Sequence, residues 1–304
     1  MRLPGLAILA ACVLAAGTSA AAGGSGPTVP GARACPIFPR SNVWNRPVDH
    51  LPVAANSAAM ISAIGVDDSV HPDFGSYLGY GIPYTVVAGK STPKVKVSFE
   101  YANESDRVGY PIPAHPNQEA SGDGHILLVD KDACRLYELY DASGSGDSWK
   151  AGSGAVWNLR SNRLRPNGWT SADAAGLPIL PGLVRYDEVA RGAIRHALRF
   201  TAKRTASAHV YPARHDAGDS GSDLPPMGLR VRLKASVDIS GYGKQARVVL
   251  RALKTYGMIL ADNGSNWFIS GASDHRYNDD DLHDLGKIKG SDFEVVDTSA
   301  LRNG

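Results

Sequence analysis

Between residues 82 and 159, short apolar runs are separated by turns bearing glycine or proline, and this punctuation constrains the fold more than any other feature of the chain. Ile82 to Ala88 and Val95 to Tyr101 flank a Gly-Lys-Ser-Thr-Pro-Lys turn, which predicts a half-buried hairpin. His125 to Asp130 and Arg135 to Asp141 flank Lys131-Asp132-Ala133-Cys134, which predicts an antiparallel hairpin. Further strands are expected at Ala155 to Leu159, Ile194 to Thr201, His209 to Tyr211, Leu229 to Leu233, Met258 to Ala261, Trp267 to Ser270 and Phe293 to Val296. Helical signals are fewer. Asn56 to Ile64, Tyr186 to Arg191 and Asn278 to Leu285 are short, whereas Lys244 to Tyr256 repeats Ala246, Val249, Leu250 and Leu253 at helical spacing. Many strands and few helices predict a mainly β architecture: a β-sandwich or jelly-roll forming a single domain with a few short helices, the alternative being a distorted β-barrel.

The N-terminus predicts export. Arg2, the apolar stretch Leu6 to Ala16 and the small residues Thr18 to Ala22 follow the order of a secretory signal. The expected organisation is a signal peptide at 1–22, a flexible mature N-terminus at 23–33 and the domain at 34–304. A secreted or periplasmic location follows, with no transmembrane segment. The competing reading is a lipoprotein anchored through Cys12, because Leu9-Ala10-Ala11-Cys12 has lipobox spacing. After cleavage Cys35 and Cys134 remain, and in an oxidising compartment they have a single intramolecular pairing. That crosslink closes a loop of about 100 residues, worth ~4–5 kcal/mol in the chain-entropy model.

Charge excludes one class of partner. Lys and Arg number 32 against 30 Asp and Glu, without a basic run, so the sequence shows no nucleic-acid footprint. There is no GxGxxG opening a helix, no GxxxxGK[ST], no HExxH and no GxSxG, and no cofactor is expected. His71, His125, His196, His209 and His215 show no ligand spacing, so no metal is assigned.

Glu138 shares a strand face with Leu136 and Tyr140, and apolar neighbours would raise its pKa toward that of a general acid. The plainer reading is a solvated strand carboxylate. Asp173, in the small-residue loop 169–178, is the preferred second carboxylate as base or nucleophile, with Asp73 in His71-Pro72-Asp73-Phe74-Gly75 as the alternative; turn capping is the structural reading of both. His125 is a candidate acid–base group, or a histidine that satisfies a strand end. Trp157, Trp169 and Trp267 with Asn263 are candidates to stack on and hydrogen-bond a sugar, unless they pack in the core. Arg160 and Arg163, close to Arg165, suit a carboxylated or sulfated substrate, although a solvated loop also explains them.

His71-Pro72-Asp73-Phe74-Gly75, Gly124 to Asp130, Ala174 to Pro178 with Pro181 to Arg185, Pro225-Pro226-Met227-Gly228, and Tyr256-Gly257-Met258 with Asp262-Asn263-Gly264 form a set of motifs spread over most of the mature chain. The chain resembles, through them, a group of secreted bacterial hypothetical proteins that look polysaccharide-acting. The resemblance implies a polysaccharide or oligosaccharide partner and supplies no catalytic residue. Together these readings predict a monomeric, glycan-degrading enzyme, an endo-acting glycoside hydrolase using paired carboxylates. Two others stand beside it. One is a polysaccharide lyase in which His125 or Tyr140 removes a proton beside a uronate that Arg160 or Arg163 neutralises; the other is a non-catalytic carbohydrate-binding or envelope protein.

Overall fold

The structure is a computed structural model, and it describes residues 1, 26–120, 122–221 and 223–302. The signal peptide expected at 1–22, Met1 apart, and the lipid anchor expected at Cys12 lie outside the described residues. No helix among the described residues is long and apolar enough to cross a membrane.

The expected β-sandwich, jelly-roll or barrel is not what forms. Among the described residues the fold is mixed α/β, with four α-helices and three separate sheets, none of them closed. Six strands make the largest sheet, in the spatial order His71–Asp73, Phe268–Ser270, Leu198–Ala202, Met258–Asn263, Arg230–Leu233 and Phe293–Val295. Four make a second, in the order Tyr84–Val87, Ile126–Asp130, Arg135–Tyr140 and Ser153–Asn158. Gly109–Tyr110, Val95–Phe99, Ser148–Ala151 and Ser143–Ser145 make the third.

Non-local pairing is the physical reason for the difference. The hairpin expected across residues 82–101 does not form, because Tyr84–Val87 runs parallel to Ile126–Asp130 while Val95–Phe99 joins the third sheet beside Ser148–Ala151. Leu198–Ala202 likewise lies parallel to Met258–Asn263, and a parallel pair needs a crossover rather than a tight turn. The helix Lys244–Thr255 lies within that crossover, burying Ala246, Val249, Leu250 and Leu253. Asp281 caps this helix from a distant segment, accepting the Gln245 and Ala246 N–H groups at 2.8 and 3.2 Å. A Cβ on Gly243 would meet Asp281 Oδ1 at 2.3 Å, so glycine is what lets the carboxylate reach the helix start.

The hairpin around residues 131–134 forms as expected, Ile126–Asp130 pairing antiparallel with Arg135–Tyr140. Its sheet is a middle layer. Leu127, Val129, Leu136 and Trp157 face the larger hydrophobic cluster, and Ile126, Leu128, Tyr137 and Leu139 face the smaller. Burial on both faces explains why Ile126 to Val129 is an unbroken apolar run instead of an alternating one. The hairpin's tip is held by the disulfide Cys35–Cys134, with Cα atoms 5.1 Å apart. Val29 and Ala32 are buried in the larger cluster. From Gly26 onward, the segment expected to be a free N-terminus is therefore packed.

Candidate functional site

A cleft of about 430 Å³ opens where the end of Met258–Asn263, the edge of the middle sheet and the loop around Asp173 meet. Asp262 reaches it because of a bulge. Phe200 pairs with Leu260 and Thr201 with Asp262, leaving Ala261 as the extra residue. The carbonyl of Ala261 is free to accept the Ala175 N–H at 2.9 Å, and this bond docks the 173–176 loop onto the strand end. Ser171 braces the same loop: its hydroxyl accepts the Asp173 N–H at 2.9 Å and donates to the Leu177 carbonyl at 2.5 Å. Gly176 completes the turn at φ +67°, where a Cβ would meet the Trp169 carbonyl oxygen at 2.4 Å.

The loop delivers Asp173 against Asp262. Arg199 holds Asp173 from below, with Nε 3.1 Å from Oδ2 and Nη2 2.6 Å from Oδ1, and its Nη1 donates to Ser270 Oγ at 2.5 Å. The same guanidinium lies 3.6 Å from Asp262. The Asp262 carboxyl is also in hydrogen-bonding contact with that of Asp173. Burial first, and then the neighbouring Asp173 charge, push the Asp262 carboxyl well above its ordinary value. The Asp262 side chain is 21% exposed and the Asp173 side chain 0%, so Asp262 is the member a ligand can touch.

Tyr101 and Tyr140 line the cleft with Glu104, Asp123, His215 and Asn263. Glu104 accepts the Thr170 N–H at 3.0 Å and lies 3.7 Å from His215 Nε2. His215 Nδ1 donates to the Ala174 carbonyl at 2.8 Å, leaving Nε2 turned to Glu104. Arg165 supports this wall, donating to Asp106 at 2.5 Å and to the carbonyls of Glu104 and Thr170 at 2.7 and 2.8 Å.

Two of the expected site residues lie behind the cleft. His125 is buried, with Nδ1 2.6 Å from Glu119 Oε2 and Nε2 2.9 Å from the Ala172 carbonyl. Both partners accept, so both ring nitrogens carry protons. Burial opposes that charge, but the Glu119 hydrogen bond and carboxylate outweigh it and raise the histidine above its ordinary value. Glu138 does share its face with Leu136 and Tyr140, and that face is the inner one: the residue is 0% exposed and is no part of the cleft lining. Its carboxyl accepts the Ile179 and Leu180 N–H groups at 3.0 and 2.9 Å and the Trp157 indole at 3.3 Å. Burial pushes it up from 4.5 to about 7, against the pull of those two backbone donors.

A raised folded-state value means that Glu138 contributes stability fully below about pH 4.5, and that the contribution is lost as pH rises through about 7. The wild-type protein should lose about 3 kcal/mol from this group across that window. Urea unfolding of Glu138→Gln at a series of pH values should show that slope removed; an unchanged slope would refute the assignment.

The remaining candidates disperse. Trp157 and Trp169 flank Arg165, whose guanidinium carbon lies 5.6 and 5.5 Å from their ring centroids. Trp267 is 0% exposed, stacked between Phe200 and Phe293 at 5.6 and 5.0 Å, and so is core. Arg160 and Arg163 are exposed and stand outside the cleft lining. Asp73 lies on the edge strand of the large sheet, bonded to the Tyr80 phenol. Asn263 alone of the expected polar contacts lines the cleft beside Asp173, with its Nδ2 2.8 Å from Thr205 Oγ1.

No family model, curated protein or solved structure matches this chain. Sequence reasoning missed Asp262, Arg199, Glu104 and His215. Asp262 had one readable signal, a carboxylate ending the apolar run Met258–Ala261 and adjoining Asn263-Gly264. Arg199 had the complementary one, a cation within an apolar strand, which calls for a buried partner.

Proposed function

We propose that the chain is an exported glycoside hydrolase whose general acid is Asp262. The observation that carries this reading is the Asp173–Asp262 pair at the cleft wall, a buried carboxylate held by Arg199 against a largely buried one whose carboxyl is pushed well above its ordinary value. Cleavage of a glycosidic bond needs such a proton on the leaving oxygen, and a second carboxylate to activate water or attack the sugar. Asp262 gives its proton to that oxygen as the carbon–oxygen bond breaks. Glu104, next to His215 on the same lining, would take the proton from the incoming water. Asp173 and Arg199 position Asp262 and tune it. Tyr101 and Tyr140 supply flat faces for sugar rings, and Asn263 an amide for hydroxyl groups.

The lining favours hydrolysis over elimination. A lyase needs a cation on the uronate carboxylate, and among the described residues the cleft is lined by four carboxylates, Glu104, Asp123, Asp173 and Asp262, and by neither Lys nor Arg. A neutral or amine-bearing glycan fits that charge. Incubating the purified mature protein with a panel of neutral, amino and acidic polysaccharides, while following reducing ends and ultraviolet absorbance, tests the proposal. New reducing ends without absorbance are expected. Absorbance would establish elimination instead, and saturable binding with unchanged chain length would establish a binding protein.

A further inference from the structure

A second cleft, of about 770 Å³, shares no lining residue with the first. Arg33, Arg40, Arg46, Arg191 and Arg195 line it together with Tyr256. These arginines come from two stretches remote in sequence, joined where the Ala197 N–H donates to the Trp44 carbonyl at 2.7 Å. Arg191 is engaged by Asp187 at 2.7 Å. Among the described residues, Arg33, Arg40, Arg46 and Arg195 have no ion-pair partner. The carboxylate on the lining, Glu188, is committed to Arg185 at 2.7 Å and His196 at 2.9 Å. Asp49 acts on the Tyr256 phenol from outside the lining, and it faces His50 at 3.7 Å. Residues 1–25 contain no Asp or Glu that could neutralise the cluster.

A buried cation strengthens the field. Arg230 lies beneath the same wall, donating to the carbonyls of Val43, Arg46 and Tyr256 at 2.9, 3.2 and 2.5 Å, and among the described residues no carboxylate pairs with it. Burial lowers it to about 9, so at neutral pH it still carries its charge. Like charges converging in a low-dielectric concavity focus potential on whatever enters, and guanidinium forks match tetrahedral oxyanions.

We propose that this second cleft binds an anionic oligosaccharide bearing several phosphate or sulfate groups. Thr28 and Tyr256 offer hydroxyl contacts for a sugar between the oxyanions, and one half-buried aromatic ring is a poor platform for stacking successive nucleobases. The site stands apart from the hydrolytic reading, since a binding protein would use it equally.

Calorimetry on the mature protein tests it with three probes: a heparin-derived hexasaccharide for sulfate, a phosphomannan oligosaccharide for phosphate, and a short single-stranded oligonucleotide. Saturable binding of either glycan is expected, weakening between about 50 and about 300 mM salt as charges are screened. Arg40→Ala with Arg195→Ala, both exposed positions, should weaken it at least about tenfold with the unfolding midpoint unchanged. The exposed pair Arg160→Ala with Arg163→Ala, outside this lining, should bind as wild type. No binding of either glycan, an equal loss in the control pair, or tighter binding of the oligonucleotide would overturn the proposal.

Discussion

Asp262→Asn is expected to lower turnover of the cleaved glycan by roughly 10²–10⁴-fold while leaving the protein folded. Asn keeps the neutral shape that burial and Asp173 already favour at this position, so the hydrogen bond to Asp173 survives and only the transferable proton is lost. Stability should move the other way from activity. Because the folded value of Asp262 lies above its ordinary 3.8, its contribution is full below that pH and is lost as pH rises through the raised value. The variant lacks this titration, so it should equal wild type in acid and become the more stable of the two in alkali. Asp173→Asn should lose activity too, but with a fall in stability, since it leaves Arg199 buried without its bidentate partner. Initial rates and urea unfolding on the two variants separate the roles. An Asp262→Asn enzyme with wild-type turnover would remove the proposed acid.

Arg199→Met is expected to cost about 3–5 kcal/mol at pH 7.5, the range for breaking a buried pair from one side. Methionine fills much of the volume and supplies no charge. Asp173 would then lose both guanidinium contacts, Ser270 its donor, and Asp262 the cation 3.6 Å away, leaving two carboxyl groups in contact. Asp262, already raised, would lose the cation that favours its charged form, so the deficit should shrink as pH falls. Arg199→Lys should recover part of the loss and not all of it, because an ammonium cannot span both Asp173 oxygens and Ser270. Equilibrium unfolding at two pH values measures each effect. A methionine variant within about 1 kcal/mol of wild type would show that the pair is held by packing alone.

Much of the candidate site was beyond the reach of one-dimensional pattern. The parity of Arg135–Tyr140 correctly grouped Glu138 with Leu136 and Tyr140, yet parity names a face without saying what covers it. Ile179 and Leu180 cover it with their backbone N–H groups, and the acid expected from the sequence becomes a buried acceptor. Asp173 was legible as a polar residue in a small-residue loop, and the loop does form part of the cleft. That Asp262 is its partner was not, since the bulge that turns Asp262 toward it arises from pairing with a strand some 60 residues away, Thr201 opposite Asp262. The tryptophans misled for a related reason. Composition marks a large flat side chain as able to stack, and only the neighbours decide whether it stacks on a sugar, on Arg165 or, as Trp267 does, on Phe200 and Phe293.

What the sequence determined by itself is local: the hairpin around 131–134, the amphipathic helix ahead of Met258, and the pairing of Cys35 with Cys134 once only two cysteines are left to pair. Each depends on near neighbours or on counting, so each could be read from the chain. The tertiary structure decided which strands lie side by side, and with that the mixed α/β architecture, the Asp173–Asp262–Arg199 cluster and the arginine-lined second cleft. Parallel pairings and buried charge clusters join residues far apart in sequence. Their free energy exists only after chain closure, and no local window carries its signal.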